Sequence, residues 1–80
     1  MNFQDFKDIH QKDTPVEKLN LLVSTLDIIG SCRVSYVEFP NAKGREHYIR
    51  EIEGQKERAN WLYGEIKAAL QNGKASIAVE

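Results

Sequence analysis

His47 and Glu51 stand four residues apart, the spacing at which two side chains of a helix can reach the same metal ion. A structural or catalytic zinc site takes three or four protein ligands. The chain has only one other histidine, His10, and Cys32 is its sole cysteine. With no further ligand nearby, the pair is expected to sit on a solvated helix face, and neither a metal nor any other cofactor is expected. Cys32 itself could serve as a thiol nucleophile, but that chemistry needs an orienting base, an oxyanion hole and a cleft. Its place at the head of an apolar segment reads as a core thiol instead. Gly30, Gly44, Gly54, Gly64 and Gly73 are scattered and form no phosphate-cradling loop. These residues together point away from an enzyme.

Charge excludes further classes. Lys and Arg number 11 against 12 Asp and Glu, without the basic excess on which affinity for phosphates rests. Lys43, Arg45, Arg50, Lys56 and Arg58 resemble a basic tract until Glu46, Glu51, Glu53 and Glu57 are read between them. A nucleic-acid partner is therefore not expected. Asp5 and Asp8 interrupt Phe3, Phe6 and Ile9, leaving no uninterrupted apolar stretch for a secretory signal, and no run approaches a membrane span. With its lone cysteine the chain is expected in the cytoplasm.

Trp61 is the residue that solvated mixed charge does not explain. On a continuous helix, Gly54, Gly64 and Ala68 lie near it on the outer face, flanked by Arg50 and Glu57. Small residues around an aromatic side chain let another surface approach closely, and Trp and Arg are enriched at binding hot spots. Trp61, Gly54, Arg50, Glu57, Gly64 and Ala68 are the candidate partner-binding set. The competing expectation is that Phe3 and Phe6, or the first long helix, fold back over the Trp.

The elements that would position these residues follow from periodicity and caps. Residues 1–12 read as an N-terminal arm or short helix, since Phe3, Phe6 and Ile9 recur every third position. Thr14-Pro15-Val16-Glu17 is a capping box with Pro at the first helical position. It opens a helix over 14–29, with Leu19, Leu22, Val23, Leu26 and Ile29 in one stripe and Gly30 as the stop. Residues 33–39 are rich in β-formers and predict a strand; residues 75–79 predict a second. Between them 45–72 reads as a helix carrying Tyr48, Ile52, Ala59, Leu62, Tyr63, Ile66, Ala69 and Leu70 on one face. It would be about 40 Å long, longer than a compact domain of this size, so it is expected either to break near Gly54 or to extend beyond its own domain and need a partner.

The expected fold is thus α+β, one domain over residues 1–80 in the order α-β-α-β, with two amphipathic helices and a small sheet of two or three strands. The alternative order, α-β-β-α-β, places a hairpin around 40–44 with Tyr48–Ile52 as its return strand. A chain this small lacks a disulfide and a metal, which leaves oligomerisation, a homodimer first, as its means of extra stability. The functional expectation is a non-enzymatic protein–protein interaction module. Its size class suggests a regulator or inhibitor, such as an inhibitor of a bacterial defence complex encoded by a phage or other mobile element. The alternative is an oligomeric binder of a nucleotide-like small ligand.

Overall fold

The computed structural model describes residues 2–38 and 42–72. The chain enters its first helix at Asn2, whose side-chain oxygen accepts the Asp5 N–H at 2.8 Å and caps α1 (Phe3–His10). A four-residue corner follows. The Asp13 N–H donates to the His10 carbonyl at 3.1 Å, and the Asp13 carboxylate meets His10 Nδ1 at 2.8 Å. The capping box then closes in both directions. The Thr14 N–H donates to Glu17 Oε1 at 3.0 Å, and the Glu17 N–H donates to Thr14 Oγ1 at 3.2 Å. It starts α2 (Pro15–Glu38), and α3 (Ala42–Gln71) returns antiparallel beside it.

The expected α+β fold is overturned: 91% of the described residues are helical and none forms a strand. Residues 33–38 belong to α2, which runs through Gly30 rather than stopping there. A glycine inside a helix costs about 1 kcal/mol against Ala. Packing on α3 outweighs that cost. Beyond Gly30, Cys32 and Tyr36 continue the inward face from Ile29 at steps of three and four, and the Arg45 guanidinium of α3 lies 5.5 Å from the centre of the Tyr36 ring. The β-forming residues Val34 and Val37 are accommodated on the exposed side. The alternative with a hairpin around 40–44 fails for the same reason, because Tyr48–Ile52 lies within α3. The strand expected at 75–79 lies outside the described residues.

The seam between α2 and α3 has heptad spacing. On α2 it runs Pro15, Lys18, Leu22, Thr25, Ile29, Cys32, Tyr36; on α3, Tyr48, Ile52, Gln55, Ala59, Leu62, Ile66, Ala69. Leu62 is wholly buried, with Ile29, Ala59 and Ile66 around the same level. Burying a leucine contributes about 1.5–3 kcal/mol, so this short apolar stretch supplies much of the hairpin's stability. The seam also holds polar groups. Thr25 is satisfied by donating from Oγ1 to the Leu21 carbonyl at 2.8 Å, and Gln55 by donating from Nε2 to Glu51 Oε1 at 3.2 Å.

The helix α3 passes Gly54 without a break, and its length sets the longest dimension of a molecule measuring 48 × 29 × 15 Å. A slab this thin has two broad faces.

Candidate interaction surface

One broad face of the hairpin is covered by α1. Phe6 is buried there, its ring edge-on to Trp61 at 5.9 Å between centroids, with the Arg58 guanidinium 5.1 Å from the Phe6 ring. Lys18 reaches the same cluster from α2. Its ammonium lies 5.6 Å from the Trp61 ring and 3.4 Å from Glu65 Oε1. A buried lysine is tolerated when a carboxylate and an aromatic face both answer its charge.

Of the six residues expected at a partner site, Trp61 is half-buried under this α1 contact and Gly54 is half-buried. Arg50, Glu57, Gly64 and Ala68 are exposed along α3. A Cβ placed on Gly54 or Gly64 would meet nothing within 4 Å. The two glycines therefore accommodate no neighbour within the chain, and Phe6 takes the position beside the indole.

The opposite broad face carries a different chemistry. Val23 and Leu26 are each 53% exposed and Val37 is 77% exposed, and Val16 and Val34 are exposed as well. At about 100° per residue Val16, Leu19, Val23, Leu26, Gly30, Val34 and Val37 share one side of α2. On α3 the exposed Ile49, Tyr63 and Leu70 stand seven residues or a multiple of seven apart, with Lys56 on the same line. A groove of about 340 Å³ joins the two lines, with Leu26, Gly30 and Arg33 on one wall and Lys56, Ala59 and Asn60 on the other. No described element covers this face.

The sequence pattern had placed Val23 and Leu26 in the same stripe as Leu22 and Ile29, and Tyr63 and Leu70 in the same stripe as Leu62 and Ile66. The structure divides both sets. Leu22, Ile29, Leu62 and Ile66 line the seam, and Val23, Leu26, Tyr63 and Leu70 turn outward. The signal that finds the second stripe is its own spacing by threes and fours from Val16 to Val37, visible only once 33–38 is taken as helix.

Among the described residues no three His, Cys, Asp or Glu side chains gather where they could hold a metal ion. His47 packs edge-on against Tyr48 at 5.3 Å, His10 is engaged by Asp13, and Cys32 is a half-buried free thiol. No helix among the described residues is long and apolar enough to cross a membrane. No protein-family model matches the chain, and no curated protein or solved structure does so either.

Proposed function

We propose that the chain is a non-enzymatic interaction protein, a small regulator or inhibitor that works by occupying protein surface rather than by turning over a substrate. The observation that carries this reading is the aliphatic face of α2. A contiguous stripe of half-exposed valines and leucines along a whole helix is costly to leave in water, and such patches mark sites of protein contact. The small-ligand reading has less support. The groove at Leu26 and Lys56 has an apolar floor and two cations at its lip, but it is open along its length and does not enclose a ligand.

Capture from lysate of the source cell tests the proposal. Tagged wild-type chain is expected to hold protein, either other molecules or further copies of itself. A variant with Val23→Glu and Leu26→Glu is expected to lose it while keeping its helical circular dichroism. Equal capture by both would show that the face is not the working surface.

A further inference from the structure

We propose that the open face closes on a second copy of this chain about a two-fold axis, giving a four-helix core with α2 against α2 and α3 against α3, both pairs antiparallel. This rests on the interaction reading above and names its first partner.

Self-complementarity is the ground for it. Apart from Leu26, whose counterpart is Asp27, the outward stripe of α2 maps onto itself about a point between Leu26 and Asp27. In an antiparallel pair centred there, Val16 meets the second copy's Val37, Leu19 meets its Val34, and Val23 meets its Gly30, while the two Leu26 side chains flank the axis. The outward line of α3 is symmetric about a point between Ala59 and Asn60, which sets Ile49 against the second copy's Leu70 and Lys56 over its Tyr63 ring. These two centres belong to different helices, and nothing in either sequence pattern requires them to coincide. In the fold they do: Leu26, Ala59 and Asn60 line the same groove. One axis therefore serves both helices, as an isologous interface requires.

Size and packing agree. A face about 36 Å long and two helix diameters wide, about 20 Å, offers about 700 Å² per copy. The pair would bury about 1,400 Å², within the roughly 1,200–2,000 Å² of stable specific interfaces. Gly30 fits the same picture, since a Cβ there would meet nothing within 4 Å in the single chain. Its bareness has no use inside the hairpin, and it leaves room for the second copy's Val23. The need is evident as well. The buried apolar side chains of the described residues are only Phe6, Ile29, Ala59, Leu62 and Ile66, a thin core for a lone domain.

Sedimentation equilibrium on purified chain at micromolar concentration is expected to give twice the 9.2 kDa chain mass. Gly30→Leu, at a position where an added Cβ meets nothing within 4 Å in the single chain, should keep full helicity and weaken self-association about ten- to a hundredfold. Register is read by cross-linking in a Cys32→Ser background. Chains carrying Val16→Cys should link to chains carrying Val37→Cys through a short bifunctional thiol reagent, and neither should link to its own kind. Self-linking of Val16→Cys chains would indicate a parallel pair and overturn the assignment. So would a chain that stays at single-chain mass, whether the face is then taken by residues 73–80 or by another protein. If such a chain still loses lysate capture on Val23→Glu and Leu26→Glu, the interaction reading survives its first partner. If neither mass nor capture responds to the face, both fail.

Discussion

The two broad faces of the α2–α3 hairpin are built from the same pair of helices, yet one is finished within the chain and the other is not. On the first, an eight-residue helix brings Phe6 onto Trp61, and Lys18, Arg58 and Glu65 close around the pair. The residues there are aromatic and charged, and each charge has a ring or a counter-ion. On the second, the side chains are aliphatic and uncharged over most of the length of α2, and no described element lies over them. Aliphatic surface has no way to be satisfied in water, whereas the charged rim of the first face stays hydrated where α1 does not reach. The lesson is that the covered face is tuned to hold a short segment of its own chain. The bare one runs the length of α2 with no described element over it.

Removing the cover is the strongest way to break that contrast. Phe6 is 5% exposed, and truncating a buried Phe typically costs about 3–5 kcal/mol. A helix of eight residues is not stable alone, so Phe6→Ala should undock α1 as a unit and leave the hairpin standing. Trp61 is the only tryptophan, which makes the event visible: its emission should shift to the red, with a modest loss of helical circular dichroism. An unshifted emission with full helicity would mean that α1 is held by something other than the Phe6–Trp61 contact. The open face should not respond, so self-association measured alongside is expected to stay at the wild-type value.

How much of this the sequence made legible depends on the range of the forces involved. Thr14 and Glu17 lie within one turn, and their reciprocal capping was readable because both partners are local. Phe3, Phe6 and Ile9 could be read as helical or as an arm, but the face they cover depends on the corner at 11–14, which brings α1 back across Trp61. The segment after Gly30 departs from its local preference for a related reason. Val34, Tyr36 and Val37 favour a strand when considered alone, and only the seam with α3 makes them helical. The same local preference hides the candidate surface in the sequence, because a stripe ending at Gly30 has no symmetric centre at Leu26. Trp61 was legible as unusual, and sequence alone left both a partner and Phe6 as its cover.

A smaller effect separates the corner from the faces. Thr14→Ala removes one half of the capping box, which typically costs about 1 kcal/mol. The thermal midpoint should fall by a few degrees, since about 1 kcal/mol moves a domain of this size by roughly 4–8 °C. Glu17 would keep its bond to the Thr14 backbone N–H, so the loss should stay below that of replacing both residues. No change in midpoint would show that the corner is held by the His10–Asp13 contact instead.

The smallest effect has the opposite sign and compares glycines on different sides of the slab. Gly64 is exposed on α3, away from the aliphatic line, and a Cβ there would meet nothing within 4 Å. Gly64→Ala should therefore stabilise the chain by about 0.5–1 kcal/mol, the usual gain of Ala over Gly inside a helix. Gly30 has the same empty surroundings within one chain and the same propensity to gain. If the open face were merely solvated, Gly30→Ala would raise the midpoint by the same amount at every protein concentration. With a second copy seated on Gly30, the gain should appear only in dilute solution. It should shrink as concentration rises and the dimer, which the new methyl group crowds, takes over the stability. Two midpoint curves against concentration, parallel or converging, decide whether this glycine belongs to one chain or to two.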